Sequence, residues 1–364
     1  MNGSFAGSFS GRSVFVTGHT GFKGSWLALW LDQLGAKVTG YSTAPQTTPS
    51  NFVASQVRET LAMHYEGDIR DKDRLSNALE DAAPDVVFHL AAQSLVRESY
   101  ISPVETFDIN VMGTLYLLNA IRVLRRPCRV VVVTSDKCYE NRGQATSYRE
   151  EDPLGGFDPY SASKAAAELV TASYRQSFFS PDNYSTHGVQ VATARAGNVI
   201  GGGDWAKDRI VADMVSALTS DRPVPVRNPR AVRPWQHVLE PLSGYLTLAA
   251  QMLQSQAPVL CGAWNFGPRD GMEAPVHRLV DRFLKSWGRG TWSDQSDPTQ
   301  PYEAQVLKLS IDKAIQGLKW QPRWNLNEAV DRTVRWFRIF YEGRPSMRDV
   351  CLEDIRAYEG LGVP

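Results

Sequence analysis

Residues 13–24 read S-V-F-V-T-G-H-T-G-F-K-G, and the fold class follows from this stretch. Ser13 to Thr17 have the β-branched and aromatic content of a short buried strand. Gly18, Gly21 and Gly24 then recur three apart where strand gives way to helix, and the helix S-W-L-A-L-W-L-D-Q-L closes at Gly35. Glycines at such a turn let the backbone approach a pyrophosphate, which rests on N–H groups at the helix start. A glycine triplet alone says little; a strand before it and a helix after it make it informative. A tight turn with no ligand is the rival reading, and the flanking pattern disfavours it. Gly18, Thr20, Gly21, Phe22, Lys23 and Gly24 are therefore expected around a dinucleotide cofactor.

Reading onward, A-K-V-T-G-Y-S is a second strand. Its tip offers Gly40, Tyr41 and Ser42, with neither the acid that holds an adenosine ribose nor an arginine for a 2′-phosphate. The choice between NAD and NADP is not legible there. A third strand, H-Y-E-G-D-I, puts Asp68 and Ile69 at the expected adenine edge, although Asp68 could instead cap the helix that begins near Asp71. In the fourth, D-V-V-F-H-L-A-A-Q, Ala91 and Ala92 leave room for a cofactor and Gln93 could reach a ribose hydroxyl. A helix over about 103–124 encloses Asn110, whose plainer role is buried hydrogen bonding. Strand and helix alternate throughout, which predicts an α/β, doubly wound parallel sheet.

The fifth strand, Val130 to Thr134, ends in Ser135, Asp136 and Lys137: a hydroxyl, an acid and an amine in a row. Farther on, Asp158 can cap a helix with Pro159 at its first position. Tyr160 and Lys164 are four apart on that helix and share a face. A tyrosine beside a cation can take up a proton near neutral pH. A Tyr-x-x-x-Lys is usually a surface pair; the loaded strand tip before it reverses those odds. V-Q-V-A-T-A-R-A-G-N-V-I-G-G-G-D-W is a sixth strand with a Gly-rich loop, and shorter elements follow. Arg227, Arg230 and Arg233, with Trp235, suggest recognition of phosphates and a base. Solvated loop arginines, and a structural role for His237, are the bland alternatives. Helices over 239–253, 275–287 and 327–341 and a strand A-W-N-F-G complete the reading.

Among the 364 residues, 39 basic side chains balance 39 acidic ones, which argues against nucleic acid or an anionic membrane surface as partner. Four cysteines without paired spacing give neither a disulfide framework nor a metal site, and Cys138 at a strand end reads as packing. The Gly/Ser-rich start lacks the basic and apolar regions of a signal peptide, and no apolar run appears long enough to span a membrane. A cytoplasmic protein is expected.

The glycine turn, the Tyr160/Lys164 pair and the length together resemble the extended short-chain dehydrogenase/reductases. G-H-T-G-F-K-G-S-W, T-S-D-K-C-Y-E-N, A-G-N-V-I-G-G-G-D-W and R-P-W-Q-H-V-L-E-P-L-S-G-Y-L resemble the CDP-glucose 4,6-dehydratase branch of that family, and W-N-F-G and P-R-W-N-L extend the likeness towards the C-terminus. The resemblance implies a Rossmann-like NAD-binding part (residues 1–196 plus about 236–264) and a smaller, discontinuous substrate domain (about 197–235 and 265–364). It implies NAD as cofactor, CDP-glucose as substrate, and a homodimer. Tyr160, aided by Lys164, would take the proton from the sugar O4 while C4 gives up hydride, and both would contact the cofactor. Ser135 would hydrogen-bond O4, and Asp136 would be the acid at C6, protonated when the sugar binds. Related dTDP-glucose enzymes carry Glu where this chain has Lys137, so Lys137 becomes either the base at C5 or a fixed charge for the enolate. Asn198, Arg209, Arg233, His237 and Asn265 fall at substrate-contacting positions, whereas Q-P-Y-E-A-Q-V (300–306) lacks an arginine found in dTDP-sugar enzymes. A nucleotide-sugar 4-epimerase and a non-catalytic NAD-sensing protein are the alternatives. An epimerase has no use for Asp136-Lys137, and a sensor has none for an intact Tyr-Lys pair.

Overall fold

In the computed structural model the described residues are 5, 7–141, 147–255, 257–297, 299, 307–343 and 346–360. Seven strands form one sheet: β1 (Ser13–Thr17), β2 (Lys37–Ser42), β3 (Met63–Glu66), β4 (Val86–His89), β5 (Cys128–Val133), β6 (Val189–Arg195) and β7 (Gly262–Asn265). Their order is β7-β6-β5-β4-β1-β2-β3, and every pair is parallel. This is the Rossmann-like, doubly wound sheet that the alternation predicts. The chain reverses direction across the sheet between β1 and β4, where Val14 lies between Val38 and Val86. A crevice opens at the carboxyl ends of the strands at such a point.

Alternate residues along each strand divide the core into two layers. Val14, Val16, Val86, Phe88, Val131 and Val133 pack with α1 (Phe22–Gln33) on one side. Phe15, Val87, Val130 and Val132 face α2 (Lys72–Ala82) and α3 (Pro103–Leu124) on the other. Burial on both faces accounts for strands that read as continuous apolar runs. α4 (Pro159–Ser177) lies beside α3, α5 (Ile210–Thr219) follows β6, and α6 (Leu239–Gln254) leads back to β7. Outside the sheet, Val199–Ile200 pairs with Gln236–His237, Val232–Arg233 with Ala274–Pro275, and Val224–Val226 with Trp292–Asp294.

Three features depart from the sequence reading. Beyond α7 (Val276–Trp287) and α8 (Leu326–Tyr341), the chain forms a further helix, α9 (Met347–Glu359). It packs on α1, where Trp30 stands edge-on to Tyr358 at 5.6 Å and donates to Glu359 Oε1 at 2.8 Å. That cover explains why α1 is buried over all of 24–31. Secondly, α3 is long and apolar enough to cross a bilayer, contrary to the reading of the sequence. In this fold Leu117, Leu118 and Ile121 belong to the core. Thirdly, α3 holds a π-turn at Asp108–Met112, a local widening often associated with functional sites. The stretch 300–306 lies outside the described residues.

Candidate active site

The glycine turn is built as the spacing predicts. Gly18 has φ +75°, and a Cβ there would stand 2.7 Å from the Ala91 backbone nitrogen. At Gly24 a Cβ would meet the Gly18 carbonyl oxygen at 2.1 Å, so helix and turn approach as only glycine permits. Gly21 is the N-cap of α1 and brings no side-chain acceptor. The first N–H groups of that helix therefore lack an internal partner and suit a phosphate. Thr20 is turned the other way, its hydroxyl 2.8 Å from Ser42 Oγ and donating to the Thr43 carbonyl at 3.0 Å. It ties the turn to the end of β2.

At the tip of β5, Ser135 opens a short turn over Asp136–Cys138. Its hydroxyl donates to Asp136 Oδ1 at 3.0 Å and accepts from the Lys137 amide at 3.2 Å. Asp136 is fully buried, and its Oδ2 has no partner among the described residues. Room for this carboxylate exists because residue 197 is glycine: a Cβ there would lie 1.9 Å from Oδ2. Across from it, Asp158 caps α4 by accepting from the Ser161 amide at 2.9 Å, and this sets the direction of Tyr160 and Lys164. The Tyr160 amide donates to Ser99 Oγ at 3.1 Å.

Burial pushes the Tyr160 phenol above its ordinary value; the adjacent Ser135 hydroxyl and Arg209 pull it down, while Asp136 and Asp158 push it up. A phenol made more acidic by Lys164 was expected; in this fold burial outweighs the lowering by Ser135 and Arg209. Lys164 is brought down to about 8 by burial, with Glu168 and Cys138 pulling the other way. Glu168, one helical turn further, accepts from Arg195 Nε and Nη2 at 2.9 Å each and from Thr193 Oγ1 at 2.7 Å. Arg195 also donates to the Tyr139 hydroxyl at 2.8 Å, and Tyr139 donates to Asn265 Oδ1 at 2.7 Å. This buried network, which sequence reading missed, fixes β5, β6, β7 and α4 behind Lys164. The spacing Lys164-x-x-x-Glu168 was its one local signal.

Several expected site residues serve this scaffold. Asn265 also donates to the Tyr148 and Ser310 carbonyls at 3.1 Å, so its side chain is used within the protein. Asn110, in the π-turn, accepts from the Gln93 amide and donates to the Gln93 carbonyl and to Ser163 Oγ, and Gln93 itself donates to Thr106 Oγ1. Asp68 is engaged by Arg70, which holds its carboxyl below the usual range, while Asp71 is the cap of α2. Ile69 is buried against Gly113. The His237 ring is fully buried between Trp26 and Trp324, at 5.9 and 4.9 Å; burial lowers its pKa to about 3, and its Nε2 has no hydrogen-bond partner among the described residues. Arg227 is paired with Asp208 and Asp213, and the Trp235 indole donates to the Ala274 carbonyl. Neither side chain is held out for a phosphate or a base. Cys138 is buried and its thiol pushed far up, as suits packing.

Three residues expected at the substrate lie in the segments after β6. Arg209 donates to the Ser94 carbonyl at 3.2 Å and acts electrostatically on Tyr160. Asn198 sits at φ +51° with its side-chain oxygen buried and unpartnered among the described residues. Arg233 is buried and donates to the Val232 carbonyl at 3.1 Å. Together these elements supply a glycine turn suited to a phosphate, a Tyr/Lys pair, and a buried carboxyl in the turn after β5.

A family model described as GDP-mannose 4,6 dehydratase matches residues 15–333. The chain belongs to this dehydratase family. A CDP-glucose 4,6-dehydratase of Salmonella typhimurium is 48% identical over 335 residues, 92% of this chain and 93% of that protein. Two solved structures carry the family's extended short-chain dehydrogenase/reductase fold. A dTDP-glucose 4,6-dehydratase from Streptomyces venezuelae, with NAD bound, has TM-score 0.74 at 24% identity over 92% of this chain and 99% of that one. A UDP-glucose 4-epimerase from Thermus thermophilus, in complex with NAD, has TM-score 0.74 at 25% identity over 89% and 98%.

Proposed function

We propose that this dehydratase converts CDP-D-glucose to CDP-4-dehydro-6-deoxy-D-glucose and water, with NAD retained through the cycle. One observation carries the reading beyond the shared Tyr/Lys pair: Asp136, fully buried with an unpartnered oxygen, beside the Tyr160 phenol and the Ser135 hydroxyl. An epimerase needs only the pair; removal of water also needs an acid. The 48% identity to a CDP-glucose enzyme supports the substrate.

The glycine turn fits NAD: Gly18 and Gly24 leave space that any Cβ would fill, and the α1 amides suit the pyrophosphate. When bound, the cofactor supplies a hydride acceptor at C4 and a hydride donor at C6. Tyr160 takes the proton from O4, with the charge of Lys164 stabilising the phenolate. Ser135 holds O4 by hydrogen bond. The resulting 4-ketone acidifies the C5 proton, Lys137 removes it or steadies the enolate, and Asp136 protonates the departing C6 oxygen. We assign Asn198, Arg209 and Arg233 to the nucleotide sugar, residues 1–196 and 236–264 to the NAD-binding part, and 197–235 and 265–364 to the substrate part.

The reaction belongs with dideoxy-sugar formation for surface polysaccharides such as O-antigen, and we place the enzyme in the cytoplasm. A homodimer is the proposed assembly. Ile101, Val104, Val123 and Leu169, on neighbouring helices before and within α3 and α4, are 60–81% exposed and suit a second copy. Incubation with CDP-glucose and NAD, beside UDP-, dTDP- and GDP-sugars, tests the activity through the alkaline absorbance of a 4-keto-6-deoxy sugar. Product from CDP-glucose is the expected result. A C4-inverted sugar would indicate the epimerase, and NAD binding without turnover the sensor.

A further inference from the structure

His89 ends β4 and pairs in register with Thr17, the last residue of β1 before Gly18. It is buried at the carboxyl ends of the two strands between which the sheet reverses, and the chemistry derived above does not use it. Both ring nitrogens are engaged: Nδ1 lies 2.7 Å from Thr17 Oγ1, and Nε2 lies 3.1 Å from Thr114 Oγ1 in α3. The hydroxyls set the direction of each bond. Thr114 gives its one proton to the Asn110 carbonyl at 2.7 Å, so towards His89 it can only accept, and Nε2 carries the hydrogen. A neutral ring then has a bare Nδ1, which accepts from Thr17. The Thr17 oxygen in turn accepts the Leu90 and Ala91 amides at 3.2 Å each. Burial, with the Lys164 charge adding to it, brings His89 down to about 3, in agreement with a neutral ring.

Each end of this chain reaches a working part of the site. Ala91, held by Thr17, is the backbone that Gly18 approaches most closely, its nitrogen 2.7 Å from where a Gly18 Cβ would stand. At the other end, Asn110 donates through Nδ2 to Ser163 Oγ at 2.8 Å, and Ser163 donates to the Tyr160 carbonyl at 2.7 Å within α4. We propose that His89 is a positioning residue: a spacer that holds the glycine turn and the Tyr160 helix in fixed relation, through a one-directional chain of hydrogen bonds from the Leu90 and Ala91 amides to the Asn110 carbonyl. A ring fixed as acceptor on one side and donor on the other sets the spacing of β1, β4 and the π-turn, and no proton moves along it. Phenylalanine would fill similar space but leave two buried threonine hydroxyls without their partner. Glutamine carries an acceptor and a donor on one carboxamide and can serve both threonines.

The inference rests on the dehydratase reading for its kinetic readout, while the tautomer and cofactor binding are measured apart from turnover. Wild type, His89→Gln and His89→Phe are labelled with ¹⁵N-histidine, and the imidazole nitrogen shifts are recorded from pH 6 to 8. The His89 signals are those absent from both variants. Wild type should show a protonated Nε2 and a bare Nδ1, with no titration across the range. A protonated Nδ1, or a ring that titrates there, would overturn the proposal even if the phenylalanine variant folds poorly. NAD affinity by fluorescence titration, kcat with CDP-glucose, and thermal unfolding are then compared. His89→Phe should bind NAD more weakly and lose on the order of tenfold in kcat, and His89→Gln should recover most of both. A His89→Phe enzyme that unfolds at lower temperature but keeps wild-type NAD binding and kcat would overturn the proposal, as would a glutamine variant as impaired as the phenylalanine one. Wild type that binds NAD but yields no keto sugar would overturn the dehydratase reading alone, because the tautomer and the NAD-binding comparison still decide the role of His89.

Discussion

Gly197 offers a direct test of how the acid is held. Its Cα faces Asp136 so closely that an added methyl would lie 1.9 Å from Oδ2 and 2.0 Å from the carboxyl carbon. Ordinary contact begins at 3.4 Å, so the carboxylate, or the loop after β6, has to shift by roughly 1.5 Å. Asp136 is fully buried and bonded to Ser135, so no relaxed position lies nearby. A misplacement of about 1 Å at a reacting group costs on the order of a hundredfold. Gly197→Ala should therefore lower kcat for keto-sugar formation by about that factor. Oxidation at C4, which depends on Tyr160 and Lys164, should survive better. The assay is single-turnover: reduced nicotinamide is followed against the final product, with thermal unfolding recorded alongside. A variant within threefold of wild type in kcat would refute the claim that this glycine shapes the acid's position. So would equal losses in oxidation and elimination.

Glu168→Ala removes the acceptor for Arg195, Thr134 and Thr193 and leaves a guanidinium buried, so denaturant unfolding should show a loss of about 3–5 kcal/mol. Gly24→Ala puts a Cβ 2.1 Å from the Gly18 carbonyl, where no side chain can yield, and NAD binding by fluorescence titration should be abolished. Lys164 is held near 8 against an ordinary 10.5, so the alkaline limb of C4 oxidation should fall around pH 8 and vanish in Lys164→Met. Between those two values the unfolded chain binds a proton that the native protein has released. This lysine's contribution to stability therefore rises with pH while activity declines. Asn110→Ala frees the Gln93 backbone and Ser163, and should raise the NAD dissociation constant more than it lowers kcat.

The parts of the site that could be read from the sequence are those whose chemistry is local. The glycine turn, the hydroxyl-acid-amine tip of β5 and the Tyr160/Lys164 spacing each lie within a few residues, and each is bordered by an element that gives it meaning. The parts that could not be read depend on contacts far apart in the chain. Tyr139 and Asn265, or Trp30 and Glu359, meet only once the sheet has formed, so nothing beside Asn265 shows that it is a scaffold residue. Arg227 looked like a phosphate ligand because Asp208 and Asp213, which neutralise it, lie on another element. His237 follows a similar logic, since both tryptophans that enclose it are remote. α9 went unseen because its apolar positions make sense only against α1.

The central claim is internal redox: hydride leaves C4, and the same hydride returns to C6 within one active site. CDP-[4-²H]glucose incubated with the enzyme and a trace of NAD tests it, with the product read by NMR and mass spectrometry. Deuterium in the C6 methyl group of a 4-keto sugar, at full retention and with NAD not consumed, is the predicted result. Deuterium still at C4 of an inverted or unchanged sugar would contradict the account.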